Sequence, residues 1–257
     1  MNTNYDFPVE LRPVYTLDNA LAHIEVPHRK AVVRTDTQKT LGVVSNDYKI
    51  LRHADAINAF RTAVGDQANE KSIHIVKGGA QVYAQYDLRG ITGLVKKGDV
   101  IGMRLTLKNS YDGTNSLQIM LGALRLVCEN GMVISRGFLG LSQKHIGEHA
   151  EVKLADITEQ IAVCANQFHK TLPVMQLMAR TPITLDEMSL FAKESITLPE
   201  YLRAAAVGAY KKESDRTVWG YYNALTYAIT HGMHRETPAT AINYGKVAWA
   251  YAQKMLS

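Results

Sequence analysis

The sequence predicts an α+β fold, with antiparallel strands in the N-terminal half and helices in the C-terminal half. Two observations carry that prediction: apolar residues alternate with a period of two up to about residue 135, and recur every three to four residues beyond Glu151. A third bounds it, because 46% hydrophobic and 21% charged residues over 257 positions are ordinary for a globular chain with a buried core.

The first elements come as hairpins. Ala31, Val32 and Val33, then Leu41, Val43 and Val44, flank the polar stretch 35–39 and read as two paired strands. A helix over 53–64 follows from Ala54, Ile57, Phe60 and Val64, with Asp55 in its first turn where the helix dipole favours an anion. Ile73 and Ile75 lead through Gly78-Gly79, suited to positive φ, into Val82, Ala84 and Tyr86. Residues 100–108 and 116–128 form a longer hairpin about the turn 109–115, and Asn130-Gly131 predicts a tight turn into 132–135. Leu117, Ile119 and Leu121 share one parity but Leu124, Leu126 and Cys128 the other, which predicts a bulge near Gly122-Ala123.

Leu154, Ile157, Ile161, Cys164, Phe168 and Met175 then make one stripe on a long helix that Pro173 should kink or end. Further helices are expected over 185–193, 199–211, 215–231 and 237–255. Gly137, Gly140 and Gly147 loosen the chain between them, giving a strand-rich unit over 1–145 and a helical region over 146–257 that can pack on it. The aromatic set Trp219, Tyr221, Tyr222, Tyr227, Tyr244, Trp249 and Tyr251 reads chiefly as core.

Composition narrows the function classes. No run approaches the roughly 20 apolar residues that cross a bilayer, and the start MNTNYDFPVELRP lacks a secretion-signal layout, so a cytoplasmic protein with no membrane partner is expected. Cys128 and Cys164 stand far apart, outside any metal or disulfide spacing, and read as buried apolar residues. The net charge of +5 favours polyanionic partners, and the first 150 residues carry 18 Lys+Arg against 14 Asp+Glu.

Strand alternation collects that charge. Met103, Leu105 and Leu107 point one way and Arg104, Thr106 and Lys108 the other; with the bulge, Gln118 and Arg125 join them. Gln81, Tyr83 and Gln85 expose a tyrosine among amides on the neighbouring hairpin, while Lys96, Lys97, Arg136 and Lys144 lie in adjoining turns. Cations with an interleaved ring suit a single strand, the charges tracking phosphates and the ring stacking on a base; an ordinary solvated sheet face has the same composition.

Catalytic signals are thin. The chain has no phosphate-binding G-x-x-x-x-G-K-[ST], no G-x-S-x-G and no H-E-x-x-H, and no cofactor is expected. His145 with His149, and His231 with His234, are weak metal candidates without a third ligand at local spacing, and Asp112-Gly113 reads as a turn.

Four stretches, LGVVSNDYKIL (41–51), NSYDGTNSLQIMLGALRLVCENGMV (109–133), QKHIGEH (143–149) and WGYYNALTYAITH (219–231), together resemble the phage- and plasmid-like family catalogued as domain of unknown function 932. That resemblance implies a mobile-element origin and no defined activity. In layout alone the chain is similar to phage single-strand annealing proteins of the Red-beta and RecT kind, which use no nucleotide, hold a strand in a basic groove and form rings or filaments. The expectation is therefore a non-enzymatic, recombination-associated protein that binds single-stranded nucleic acid, DNA rather than RNA, with a possible homo-oligomer. Its sites would be Arg104, Lys108, Arg125, Tyr83, Lys96, Lys97 and Arg136. The alternatives are a module that docks on a host protein complex through its aromatic helical region, and a metal-dependent nuclease or hydrolase resting on the histidine pairs.

Overall fold

In the computed structural model, residues 4–126, 130–132, 142–143, 154–194, 197–212, 214–232 and 238–256 are described. Val9–Leu17 (β1), His23–Arg34 (β2) and Lys39–Ser45 (β3) form a three-stranded antiparallel sheet in the order β1-β2-β3. Helix His53–Val64 (α1) leads to a second antiparallel sheet. It comprises Ala68–Val76 (β4), Gln81–Lys96 (β5), Asp99–Ser110 (β6), Leu117–Arg125 (β7) and Asn130–Met132 (β8), in that order, with Ser142–Gln143 (β9) also on β7. Five helices follow: Leu154–Arg180 (α2), Leu185–Glu194 (α3), Glu200–Lys212 (α4), Val218–His231 (α5) and Pro238–Lys254 (α6). The protein is α+β, and no helix among the described residues is long and apolar enough to cross a membrane.

One core joins the two halves. The face of the larger sheet bearing Val82, Ala84, Tyr86, Met103, Leu105, Ile119 and Leu121 packs with Ile57 and Phe60 of α1, Ile157, Cys164 and Phe168 of α2, and Trp219 and Tyr222 of α5. The stripe expected on α2 is therefore what faces the sheet. Burial pushes the Cys164 thiol up to about 11, which keeps it protonated and unreactive at neutral pH. Trp219, Tyr221, Tyr222 and Trp249 are buried in the same core, and Tyr227 of that set is exposed.

Three local expectations are corrected. The ladder from Ile101↔Arg125 to Lys108↔Gln118 is unbroken, so no bulge resets β7 at Gly122-Ala123. Asn130 and Gly131 pair with Arg125 and Leu124 as the start of β8, and so lie in a strand. Helix α2 runs through Pro173 to Arg180; the ring sits on the exposed side, and packing of Phe168 and Met175 on either side holds the helix together. β1 was missed because Pro13 and the consecutive Val14 and Tyr15 break the alternation that Val9 to Arg12 begins, as an edge strand tolerates.

The small sheet meets the large one where the first two family-like stretches touch. A Cβ on Gly42 would fall 2.4 Å from the Asp112 Cα and 3.0 Å from the Tyr111 carbonyl oxygen, so β3 passes the β6–β7 turn backbone to backbone. Close by, the Tyr48 hydroxyl donates to the Ser110 carbonyl at 2.8 Å. Gly42→Ala is expected to force the two backbones apart and cost about 1–3 kcal/mol, the usual range for overpacking. A thermal melt checks it; an unchanged midpoint would mean that the contact is slack.

Candidate nucleic-acid interface

Because β7 keeps its register, Arg125 does not join Arg104 and Lys108. It shares the core-side face with Ile101, its cross-strand neighbour. There its Nε donates to Asp99 Oδ1 at 2.7 Å, while the Trp219 indole N–H donates to Asp99 Oδ2 at 2.8 Å. Asp99 is almost fully buried, so both of its oxygens are committed to fastening α5 to the sheet.

On the opposite face Arg104 stands across from Asp87, and its guanidinium holds both carboxylate oxygens at 2.6 and 2.9 Å. Lys96 is paired with Asp215 just before α5. Thus three of the expected phosphate contacts, Arg104, Arg125 and Lys96, are neutralised by carboxylates. Tyr83, expected to be exposed, is 1% accessible, and burial pushes its hydroxyl up to about 12, so it is a structural ring and not a stacking platform. Lys97 is exposed in the β5–β6 turn. Arg136, Lys144, His145, His149 and His234 lie outside the described residues. No three of His, Cys, Asp and Glu converge as metal ligands among the described residues.

One expected residue has a different environment. Lys108, opposite Tyr83 in the ladder, is half-buried with its ammonium 5.3 Å from the centre of the tyrosine ring. It forms no ion pair with a described residue. Desolvation lowers its pKa and the like charge of Lys246 from α6 lowers it further; Asp112 works against them, and Lys77 from the β4–β5 turn adds to the lowering. A fourth cation is close to Lys77, since a Cβ on the neighbouring Gly78 would meet Lys39 Nζ at 2.3 Å.

Asp112 is the carboxylate in this group, and its oxygens are already occupied. Oδ2 accepts from Gln81 Nε2 at 2.7 Å and from Lys77 at 3.2 Å, and Oδ1 accepts from the Thr114 backbone N–H at 3.1 Å. Burial works to raise its pKa, but hydrogen bonds from Thr114, Gln81 and Lys77 outweigh it and hold the carboxyl below the usual range. Lys108 thus feels Lys246 and Lys77 as well as a carboxylate that is already held by other donors, and Lys39 lies beside Gly78. Lys108 was legible in the sequence from strand parity; Lys39, Lys77 and Lys246 were not, because only the folded chain brings them beside it.

No solved structure matches the chain. The profile of one family, a domain of unknown function, matches residues 40–249. That span takes in β3, the whole of the larger sheet and nearly all of the helices, including Gly42, Asp112 and Trp219, whose contacts hold the two sheets and α5 together. On that match, the chain belongs to the DUF932 family.

Proposed function

We propose that the protein binds single-stranded nucleic acid without turning it over, as an annealing-type protein of mobile elements, through the lysine cluster centred on Lys108. The observation that supports this reading is that a half-buried ammonium, resting on the Tyr83 ring, faces Lys246 and Lys77 and forms no ion pair with a described residue, while the nearby Asp112 is held by Gln81, Lys77 and Thr114. Like charges brought together at a partly desolvated site cost free energy in the empty protein, and a phosphate chain relieves that cost. A flexible single strand can bend a phosphate down onto an ammonium set into a sheet face, whereas a duplex holds its phosphates on a stiff cylinder. Arg104 and Arg125 no longer carry the reading, because each already serves a carboxylate.

Fluorescence anisotropy with labelled oligonucleotides across a salt series tests it. Each neutralised phosphate contributes roughly −0.7 to the log–log slope on a single strand, so the contacts of Lys108 and Lys246 should supply about −1.4, Lys77 being paired with Asp112. Lys108→Gln and Lys246→Gln should each weaken binding several-fold and make the slope shallower by about 0.7. DNA is expected to bind more tightly than RNA of the same sequence, and single strands more tightly than duplex. Absence of binding at low salt, or identical affinity in the Lys108→Gln/Lys246→Gln double variant, would overturn the proposal.

A further inference from the structure

The N-terminal hairpin reaches past the body of the protein. β3 pairs with β2 only over Arg29–Arg34, so from Val14 to His28 the two strands have only each other. At the base of this arm the register breaks: Val26, Pro27, His28 and Arg29 stand against Val14 alone, and His28 adopts a φ of +59°. A bulge of this kind bends the ribbon and re-aims what lies beyond it. The tip closes on itself, with Asp18 Oδ1 accepting from the backbone N–H groups of Ala20 and Ala22, both at 2.8 Å.

What the arm presents to solvent is apolar on both sides. Tyr15 and Leu17 lie on one face, 55% and 54% exposed; Ile24 is on the other at 49%, and Leu21 at the tip is 75% exposed. A two-stranded ribbon is marginally stable in water by itself, and one with large apolar side chains on both faces gains most from being gripped. Its charge selects the occupant. Between Val14 and His28 the arm holds Asp18 and Glu25, and none of the chain's 29 Lys+Arg, whereas the chain as a whole is at +5. An acidic arm repels a nucleic-acid backbone and is attracted to the basic body of another copy of this protein. Size agrees: a stable interface takes roughly 20–30 residues a side, which a short arm reaches when it is exchanged reciprocally and each chain both gives an arm and receives one.

We propose that residues 14–28 form a dimerisation arm, clasped by a second copy of the chain through Tyr15, Leu17, Leu21 and Ile24. The arm precedes the matched span 40–249.

Light scattering coupled to size-exclusion chromatography, run on the full chain over a concentration series at low and high salt, tests this without any oligonucleotide. The wild type should show the dimer mass, weakening as salt rises. Leu17→Ser/Ile24→Ser should show the monomer mass at the same concentration, with an unchanged circular dichroism spectrum. Glu25→Lys, a single exchange at an exposed position, should raise the dissociation constant on the order of tenfold and reduce the salt dependence, and it decides the matter if the double variant folds poorly. A wild type that stays monomeric throughout, or variants that dimerise as tightly as the wild type, would overturn the proposal. So would variants that keep the dimer mass but lose oligonucleotide affinity, since that outcome assigns the arm to nucleic acid.

Discussion

Asp99→Ala is expected to destabilise the protein by about 3 kcal/mol, the low end of the cost of removing one partner from a buried ion pair. Asp99 is almost fully buried at the start of β6 and serves two donors, Arg125 Nε and the Trp219 indole N–H. Without it the arginine keeps its charge in a site that is only a fifth exposed, and the indole N–H loses its partner inside the core. Some water can reach the arginine, which is why the low end applies. For a chain of this size the melting midpoint should fall by roughly 6–12 °C. Asp99→Ala/Arg125→Met should recover part of the loss, because a neutral side chain of similar length no longer needs a counter-charge. A single variant that melts with the wild type would mean that the two halves are not fastened here.

His53→Ala should cost a similar amount, about 3 kcal/mol, through a different set of contacts. The ring is fully buried at the first turn of α1, stacked on Tyr111 with centroids 3.9 Å apart. Asn109 Nδ2 donates to the Leu51 carbonyl at 2.9 Å and approaches His53 Nδ1 at 3.0 Å, which makes Nδ1 an acceptor and leaves Nε2–H to donate to the Gly79 carbonyl, 3.0 Å away. Removing the ring opens a cavity and strands that carbonyl. Tyr111 has a second duty: its hydroxyl accepts from the His53 backbone N–H at 2.7 Å, at a helix start where Arg52 supplies no side-chain cap. Tyr111→Phe should therefore cost less, about 1 kcal/mol, because it deletes that acceptor and keeps the stacked ring. Urea titrations check both: the midpoint should fall in that order while the slope holds. An equal loss in the two variants would mean that the histidine ring's packing and side-chain hydrogen bonds contribute no more than the single bond from the His53 backbone N–H to the Tyr111 hydroxyl.

Strand alternation located β2 to β7, and three-to-four spacing located α1 to α6, because each pattern is a local consequence of which face is buried. The same logic failed at Leu124 and Arg125. Parity there predicts a bulge, since nothing in the local pattern says that an arginine can ride on the core side of a sheet when an aspartate and an indole meet it. Tyr83 was assigned to the correct face, but its burial depends on the fold around it, which parity does not describe. The site was legible only at Lys108: its face follows from strand position, whereas the lack of an ion pair for it among the described residues and the arrival of Lys77 and Lys246 depend on elements far apart in the chain. Gly42 and Asp112 were visible as parts of two separate stretches, and their backbone contact was not.

The order of residues along the chain, by itself, settled the class of fold, the places of most strands and helices, and the family-like stretches, since these depend on periodicity and on glycine and proline over a few neighbouring positions. Which charges are neutralised and which are left to attract a partner was decided only when the strands and helices packed. Charge interactions fall off with distance and depend on how much water is excluded, and both quantities exist only in three dimensions.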